Sequence, residues 1–282
     1  MNLTLKPDLR GKVAVVTGGA GVLCSEFVRA LAQCGAKVAI LNRTLSKGEA
    51  LAEEVRAAGG EAAAFSCNVT DSESVKAAHE AVLAAFGKCD ILINGAGGNN
   101  PRANTDKEYF ELGDMEAETK SFFDLDEAGF RFVMDLNFVG TLLPTQAFAR
   151  DMVGREGCTI INISSMNAYT PLTKIPAYSG AKAAISNFTQ WLAVHFSKVG
   201  IRVNAIAPGF FSTKQNAALL WNADGTPTAR TGKILAATPM GRFGESHELL
   251  GALLYLVSDE AAGFVTGTVL PVDGGFSAYA GV

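Results

Sequence analysis

The chain has 282 residues, of which 48% are hydrophobic and 18% are charged, and its formal net charge is −4. This length and apolar content suffice for one sizeable core, so we predict a single α/β domain over residues 1–282. Charges of both signs are scattered along the chain, which argues against a nucleic-acid or anionic-membrane surface. No apolar run is long enough to span a bilayer, and the mixed polar Met1–Lys12 lacks the apolar core of a signal peptide.

The cysteines and histidines give no metal signature. The five cysteines are odd in number and never pair at metal-ligand spacing, and the three histidines are scattered. We therefore predict reduced thiols in a cytoplasmic protein, with no metal site.

Short apolar runs alternate with amphipathic segments of helical period. Nearly continuous apolar runs indicate parallel strands buried on both faces, and their alternation with helices indicates right-handed βαβ units. The predicted strands are Lys12–Thr17, Lys37–Leu41, Ala62–Cys67, Asp90–Asn94, Cys158–Ile163, Arg202–Ala207 and Thr268–Val272. The predicted helices are Gly21–Gln33, Leu45–Ala58, Ser72–Phe86, Leu125–Met152, Pro176–Lys198 and Ser246–Leu256. This pattern predicts a doubly wound parallel sheet of the nucleotide-binding type.

A glycine-rich turn joins the first predicted strand to the first helix. Gly18, Gly19 and Gly21 would let backbone amides approach a pyrophosphate, which a helix N-terminus attracts electrostatically. A glycine cluster alone is as often a simple turn. The helix that follows, together with Asn94-Gly95-Ala96-Gly97 after the fourth strand, favours the binding interpretation.

The second predicted strand leads into Asn42 and Arg43. An acidic residue here would bind a ribose 2′-hydroxyl and repel a 2′-phosphate. Because Asn42 is neutral and Arg43 is basic, the pair favours NADP over NAD. The alternative is that Asn42 binds a ribose hydroxyl while Arg43 faces solvent, which leaves NAD acceptable.

Two segments interrupt the alternation of strands and helices. The insertion over residues 98–124 is polar and rich in acidic side chains, and it is either a solvated insertion or a substrate lid. The loop over residues 213–243 contains Gly225, Pro227, Gly232 and Pro239 and is predicted to be irregular. Both follow strands at their carboxyl ends, where open α/β sheets bind ligands.

The stretch Tyr178-Ser179-Gly180-Ala181-Lys182 carries the main chemical signal. On a helix, residues four apart lie on one face, so Lys182 would lie one turn from the Tyr178 phenol. A free tyrosine titrates near ~10, and a nearby ammonium lowers that pKa. The pair would then move a proton on and off an alcohol oxygen near neutral pH. By itself, the same spacing also describes a surface pair.

Taken together, these motifs resemble the short-chain dehydrogenase/reductase family along almost the whole chain. The matching pieces come in the family's order and close to its spacings: Val16–Gly19, Asn94–Gly97, Asn137, Ser165, Tyr178–Lys182, Asn204 with Pro208-Gly209, and Val272–Gly275. The resemblance implies a Rossmann-type sheet of seven strands and hydride transfer between NAD(P) and an alcohol or ketone. Val22 and Cys24 depart from the pattern, because most members carry glycine at both positions.

The resemblance assigns a role to each of four catalytic candidates. Tyr178 is the general acid in reduction and the base in oxidation, and Lys182 binds the nicotinamide ribose and tunes Tyr178. Ser165 orients the substrate oxygen, and Asn137 holds a water in the proton relay. The implied cofactor contacts, besides Tyr178 and Lys182, are Gly18, Gly19, Gly21, Val22, Leu23, Asn42, Arg43, Asn68, Val69, Asn94, Ala96, Gly97, Pro208, Gly209 and Phe211.

The fold alone gives no substrate, because it hosts many chemistries. Amides, hydroxyls and cations in the two interrupting segments suit a hydroxylated acid better than a sterol. The predicted substrate contacts are Asn99, Asn100, Arg102 and Arg230, with Ser165 and Tyr178, and two further basic candidates are Lys214 and Arg242.

The sequence is also similar to the D-mannonate oxidoreductase (fructuronate reductase) branch of the family, including its Gly-Gly-Ala-Gly-Val-Leu-Cys turn. That similarity implies conversion between D-fructuronate and D-mannonate. One alternative is a reductase of another sugar, polyol or 3-oxoacyl substrate. Another is a regulatory protein that binds NAD(P) without turnover, although such a protein need not keep Tyr178 and Lys182.

The helix that begins with the Tyr178 motif is apolar on more than one side. Trp191–Phe196 is almost entirely apolar, and we interpret His195 within it as a core or interface residue rather than a catalytic one. The resemblance implies a homo-oligomer, commonly a tetramer, assembled through this helix.

Overall fold

Seven parallel strands form one sheet in this computed structural model, which describes residue 3, residues 5–212 and residues 220–281. The strands are β1 Val13–Thr17, β2 Lys37–Asn42, β3 Glu61–Ser66, β4 Ile91–Asn94, β5 Cys158–Ile163, β6 Ile201–Pro208 and β7 Val269–Val272. Their order across the sheet is β3-β2-β1-β4-β5-β6-β7, and every neighbouring pair is parallel. The predicted doubly wound parallel sheet is therefore confirmed.

Helices cover both faces of this sheet. Their bounds are α1 Val22–Gln33, α2 Leu45–Ala57, α3 Ser72–Phe86, α4 Glu127–Met134, α5 Gly140–Met152, α6 Pro176–His195, α7 Ala229–Ala236, α8 Leu250–Val257 and α9 Asp259–Ala262. None of the helices in the described part of the chain is long and apolar enough to cross a bilayer.

The predicted single helix over residues 125–152 is wrong in one respect. A π-helical turn, Asp135–Val139, separates α4 from α5. The Asn137 side chain donates to the Val133 carbonyl one turn earlier (2.8 Å), so it competes with the backbone for that acceptor. Turns of this kind are frequent at functional sites.

Two other helix predictions and one loop prediction also differ from the structure. The helix predicted over residues 176–198 ends at His195, and Gly200 then adopts a left-handed backbone (φ 82°) that leads into β6. Helix α7 lies in the loop that was predicted to be irregular, where Thr228 caps its first turn by accepting from the Thr231 amide. The helix predicted from Ser246 opens with a 3-10 turn, Ser246–Leu249, before α8 begins.

Alternate residues of each central strand pack into two hydrophobic cores, one on each face of the sheet. In β1, Val16 packs on one face of the sheet with Phe27 of α1 and Leu253 of α8. Val15 packs on the opposite face with residues of α5 such as Phe148. This two-sided burial explains why the strands read as continuous apolar runs.

The parallel arrangement collects the functional motifs at one edge of the sheet. The strand register aligns Thr17 with Asn94, and Asn94 with Asn162, so β1, β4 and β5 end together. The glycine turn, the Asn94–Gly97 stretch and Ser165 all leave from this edge.

Candidate active site

The glycine turn after β1 is fastened to the end of β4. Thr17 Oγ1 accepts hydrogen bonds from the amides of Gly95 (3.1 Å) and Ala96 (3.2 Å). Gly18 has a left-handed backbone (φ 61°), and a Cβ there would lie only 2.9 Å from Ala96 Cα. Glycine is therefore required on both counts.

Helix α1 begins directly after this turn. Gly21 is its N-cap and supplies no side chain, and no acidic residue lies in the first turn. The orphan backbone amides at this N-terminus are a suitable anion site. Val22 and Leu23 are half-buried residues of that first turn, so a pyrophosphate would meet their backbone.

Cys24 stands at a position where the sequence resemblance implies a glycine. Its thiol lies against Gly95, where an added Cβ would overlap Sγ. Burial raises the pKa of Cys24 to about 12, so the thiol stays neutral and acts as a packing group.

Side chains predicted to meet the adenosine half also support the turns around them. Asn42 Oδ1 accepts from the Ala20 amide (2.9 Å), which leaves its amide group free to donate to a ligand. Arg43 is exposed. Asn68 is exposed and accepts from Thr70 Oγ1 (3.0 Å), while the buried Val69 packs against Gly140.

The four catalytic candidates lie together at the edge of the sheet. Tyr178 is in the first turn of α6, and the Ser165 side chain hydrogen-bonds its phenol. Lys182 Nζ is 5.5 Å from the Tyr178 ring centroid and donates to the Ile163 carbonyl (2.8 Å). A Cβ at Gly97 would lie 2.7 Å from Asn137 Oδ1 and 3.3 Å from Lys182 Nζ, so Gly97 borders both side chains.

The direction of the Tyr178 pKa shift contradicts the sequence-based expectation. Burial raises the pKa of Tyr178 to about 12, and the Ser165 hydrogen bond lowers it by less. Burial also lowers the pKa of Lys182 to about 8. Desolvation disfavours both charged forms, and it outweighs the predicted effect of the ammonium on the phenol. Tyr178 therefore holds its proton at neutral pH, as a proton donor must.

The side chain of Asn137 is fully committed to the protein. Its amide donates to the carbonyls of Gly98 (2.7 Å) and Val133 (2.8 Å), and its oxygen accepts from the Gly98 amide (3.2 Å). Asn137 thus ties the strand end to the π-helical turn. The backbone carbonyl of Asn137 accepts a hydrogen bond from Thr141 Oγ1 (2.8 Å).

The predicted substrate residues of the insertion have partners of their own. Asn99 donates to Asn104 (3.1 Å), and Asn100 accepts from the Arg102 amide (3.0 Å). Arg102 is 63% exposed and forms an ion pair with Asp126 (2.8 Å). The side chains of these three residues therefore make contacts that stabilise the insertion and the start of α4.

The loop after β6 packs against β7. A Cβ at Gly209 would lie 2.5 Å from Asp273 Cα, and the Gly209 amide donates to the Val272 carbonyl (2.9 Å). The Phe211 ring is buried against Gly244, so this side chain belongs to the core. Pro208 ends β6 and directs the chain over the sheet edge.

Arg230, an exposed residue of α7, lines a cavity of about 410 Å³ at this edge, together with Lys174 and Lys233. The insertion reaches the same cavity through Glu108, which pairs with Lys233 (2.6 Å). Arg242 is paired with Glu248 (2.6 Å), and Lys214 lies outside the described residues. No group of three or more acidic, histidine or cysteine side chains within residues 5–212 and 220–281 could hold a metal ion.

Lys174 is the residue that the sequence analysis missed. It is half-buried, four residues before Tyr178, and its φ of 70° makes it the one non-glycine residue with a positive φ in the described chain. Its position between Ser165 and Tyr178 was a usable signal, since that loop must pass the reacting groups.

Comparison with known proteins places this geometry in a family. The family described as short chain dehydrogenase matches residues 12–222. A Haemophilus influenzae protein named as an uncharacterized oxidoreductase is 57% identical over 282 residues, covering 100% of this chain and 99% of the relative. Bacillus subtilis has an uncharacterized oxidoreductase, UxuB, that is 55% identical over 280 residues, covering 99% of this chain and all of the relative. The chain belongs to the short-chain dehydrogenase family, and it is an oxidoreductase with a nicotinamide cofactor site.

Solved structures agree with this assignment. A crystal structure of a candidate D-mannonate oxidoreductase from Haemophilus influenza with bound NAD is 58% identical, with a TM-score of 0.95 and 98% of each chain covered. A gluconate 5-dehydrogenase from Burkholderia cenocepacia, in complex with NADP and tartrate, is 30% identical, with a TM-score of 0.80 and coverage of 96% of this chain and 97% of that one.

Proposed function

We propose that the protein reduces a ketone on an open-chain sugar acid, and oxidises the corresponding alcohol, with D-fructuronate and D-mannonate as the best single pair. The observation that carries the proposal is the meeting of Ser165, Tyr178 and Lys182 beside Gly97. The sugar-acid class is supported by the candidate D-mannonate oxidoreductase at 58% identity. It is also supported by a 2-dehydro-3-deoxy-D-gluconate 5-dehydrogenase at 30% identity.

In reduction, Tyr178 acts as the acid and Ser165 orients the carbonyl. When bound, a nicotinamide cofactor would supply the hydride, or accept it in the reverse direction. The protonated Tyr178 phenol gives its proton to the carbonyl oxygen as that oxygen becomes an alcohol. The hydrogen bond from Ser165 and the nearby Lys182 ammonium stabilise the phenolate that remains, until solvent returns a proton.

The residues at the sheet edge fit a nicotinamide dinucleotide. Gly18 and Gly97 leave room where any side chain would collide with Ala96, Asn137 or Lys182. The N-terminus of α1 offers amides to the pyrophosphate. We propose that the contacts are made by Gly18, Gly19, Gly21, Val22, Leu23, Asn42, Arg43, Asn68, Val69, Asn94, Ala96, Gly97, Tyr178, Lys182, Pro208, Gly209 and Phe211.

For the choice between the two nicotinamide cofactors, we propose that both are accepted and that Arg43 admits NADP. Arg43 is exposed at the end of β2 and makes no ion pair with any described residue, so it is available to a 2′-phosphate. The free Asn42 amide would donate to the 2′-hydroxyl of NAD. The 58% identical structure holds NAD, and the gluconate dehydrogenase holds NADP.

We further propose a cytoplasmic homo-oligomer whose protomer is one domain. The buried, unpaired cysteines support a reducing compartment. One sheet includes strands from Val13 to Val272, which supports a single domain. On α6, Trp191 is 56% and Val194 is 77% exposed, and this apolar face would be covered by a second copy, as in a tetramer.

The test is a carbonyl panel assayed with NADH and with NADPH. It contains D-fructuronate and other ketouronates, uncharged ketoses, polyols in the oxidative direction, and a 3-oxoacyl ester. We expect the highest kcat/KM with a ketouronate. Equal turnover of uncharged ketoses would refute the sugar-acid assignment, and cofactor binding without turnover of any substrate would favour a regulatory protein.

A further inference from the structure

We propose that Lys174 and Arg230 form the subsite that binds the substrate's carboxylate. The inference rests on the proposed function, since it concerns an acid substrate of the same site. It names a residue, Lys174, that no sequence motif indicated, and it selects Arg230 from the four basic residues considered above.

The cavity that these two residues line is linked to the catalytic groups through the chain, although no catalytic side chain lines it. Its walls include Leu172 and Lys174 from the loop that runs into α6, where Tyr178 lies in the first turn. The lining also includes Phe210, which follows the Pro208-Gly209 turn, and residues of α7. An open-chain acid with its carbonyl at Ser165 and Tyr178 would extend its far end toward this cavity.

The charge inside the cavity is positive. Three basic side chains, Lys174, Arg230 and Lys233, face one acidic side chain, Glu108. Glu108 forms its ion pair with Lys233 (2.6 Å), so its charge is already matched. Much of the remaining lining is apolar, including Ile234. Unmatched positive charge in a partly apolar cavity favours an anionic ligand.

Lys174 and Arg230 are distinguished from the other basic candidates because neither is held in an ion pair with a described residue, although Lys174 lies close enough to Glu108 to contribute, after Lys233, to the lowered pKa of that carboxyl. Arg102 is held by Asp126 and Arg242 by Glu248. Neither Lys174 nor Arg230 forms a hydrogen bond through its side chain or an ion pair within residues 5–212 and 220–281. A substrate carboxylate can therefore bind them without displacing a protein carboxylate.

The backbone of Lys174 is held in an unfavourable conformation. A lysine at φ 70° lies in the left-handed region, which is unfavourable for a residue with a Cβ. The Lys174 carbonyl accepts from the Thr105 amide of the insertion (3.0 Å), which helps to hold this geometry. Such strain persists where the surrounding structure enforces it, often at ligand sites. Here it fixes a cation beside the Tyr178 helix.

The two cations suit a carboxylate in complementary ways. A guanidinium can present two parallel N–H donors to both carboxylate oxygens, and an ammonium adds a point charge. A phosphate ester would satisfy the same donors, so a ketose phosphate belongs in the test as the competing anion.

The experiment compares Lys174→Gln, Arg230→Gln and their double variant with the unmodified enzyme, with D-fructuronate and with uncharged fructose as substrates. Each single variant should raise KM for the acid by ~10-fold or more, and the double variant by ~100-fold, because each charge-assisted contact contributes about that factor. Values of kcat for the acid should stay within about threefold, since the contact is equally strong in ground and transition states. KM for fructose and the Kd of NADH should not change.

Two further variants separate this role from a structural one. Arg131→Gln removes an exposed cation of α4 that pairs with Glu127, away from the cavity, and should leave every constant unchanged. Lys174→Arg restores the charge at the strained position and should recover most of the affinity for the acid. If Lys174→Gln lowers the melting temperature but Lys174→Arg does not recover KM, the residue is structural and the proposal is wrong.

The remaining outcomes distinguish this inference from the proposed function. Turnover of ketouronates with unchanged KM in both glutamine variants overturns the carboxylate subsite alone. Turnover of a different ketoacid with the expected KM effect supports the subsite and overturns the sugar-acid assignment. Better turnover of fructose 6-phosphate than of D-fructuronate makes this a phosphate subsite and overturns the proposal. Turnover of uncharged ketoses only overturns both.

Discussion

Burial acts on Tyr178 and Lys182 in opposite senses, because it disfavours whichever form is charged. The tyrosine is held as a neutral phenol, with a pKa raised to about 12, and the lysine is a weaker base, with a pKa lowered to about 8. The free enzyme is therefore prepared to donate a proton. Oxidation needs the phenolate. This direction therefore requires a charge on the bound cofactor or substrate that lowers the Tyr178 pKa.

Replacing Tyr178 with phenylalanine removes the transferable proton and keeps the ring. We expect kcat to fall ~100-fold to ~10,000-fold, the usual contribution of general acid catalysis. The Kd of NADH, measured by fluorescence titration, should change less than about threefold. A variant with near-normal turnover would show that Tyr178 is not the acid.

Lys182→Met should increase the stability of the free enzyme. A buried ammonium with a lowered pKa costs free energy, so its removal should raise the free energy of unfolding by about 1–3 kcal/mol at neutral pH, even though the Ile163 carbonyl loses a donor. Turnover should be lost.

The stability gain should also depend on pH, in a direction set by the shifted pKa. Between the folded pKa of about 8 and the ordinary value of 10.5, the unfolded chain binds more protons than the native enzyme. The stability of the unmodified enzyme therefore rises with pH in that window, and the difference from Lys182→Met should shrink. Urea unfolding at about pH 7 and about pH 9.5 measures it, and a constant difference would contradict the lowered pKa.

Arg43→Ala tests the contact with the adenosine ribose. If Arg43 meets a 2′-phosphate, the Kd of NADPH should rise ~10-fold while that of NADH stays constant, since only one cofactor loses a charge-assisted contact. Asn42→Asp should shift preference further to NADH by repulsion. Lys76→Ala, at an exposed position of α3, serves as the control for general electrostatic effects. Equal losses for both cofactors would mean that Arg43 does not contact the 2′-phosphate, which only NADPH carries.

At the scale of elements, the strands were predictable because a buried parallel strand is a continuous apolar run. All seven begin and end within one or two residues of the predicted bounds. Helix α7 was missed because Gly225, Pro227 and Gly232 indicate a loop, although Thr228 provides an N-cap. The π-helical turn depends on one side chain competing with the backbone, which a periodic pattern does not reveal.

The parts of the site that lie at strand ends were also predictable, because the strands themselves were. Gly18, Ser165 and the Tyr178 helix sit where regular elements end, and their spacing carries the information. The loops differ, because ion pairs such as Arg102 with Asp126 form between residues far apart in the sequence. Sequence alone thus ranked Arg102 and Arg230 alike and gave no weight to Lys174.

The contact between α1 and the end of β4 gives a stability prediction. Gly95→Ala introduces a Cβ that overlaps Cys24 Sγ and lies 2.9 Å from the Thr17 carbonyl, so we expect a loss of about 1–3 kcal/mol. Cys24→Ala should recover part of this loss, with a coupling of about 1 kcal/mol in a double-mutant cycle.

A control and a contrary result complete that test. Gly251→Ala, in α8 with no atom near the added Cβ, should be neutral or stabilising. Additive losses in the cycle would show that Cys24 does not occupy the space above Gly95.

At the scale of the whole molecule, the sheet order brings two distant segments together. The insertion and the loop after β6 leave the same edge, and Glu108 and Lys233 join them across 125 residues of sequence. The cavity lined by Lys174 and Arg230 therefore depends on both segments at once.

The exposed face of α6 leads to a prediction about assembly. Trp191→Glu combined with Val194→Glu places charge on an apolar surface, so the proposed oligomer should dissociate into smaller species, measured by light scattering after size-exclusion chromatography. Val153→Glu, at another exposed apolar position, should leave the assembly intact. An unmodified enzyme that is already monomeric would contradict the proposed interface.

The contact between Cys24 and Gly95 also constrains how this cofactor turn can have evolved. A thiol at position 24 and a side chain at position 95 compete for one volume, so the two positions are epistatic. A lineage that acquires the cysteine while a larger residue occupies position 95 passes through a destabilised intermediate. A lineage that first acquires glycine at position 95 and then cysteine at position 24 avoids this destabilised intermediate. Once Cys24 is in place, a side chain at position 95 costs stability, and loss of the thiol restores only part of it because the Thr17 carbonyl also lies near the added Cβ.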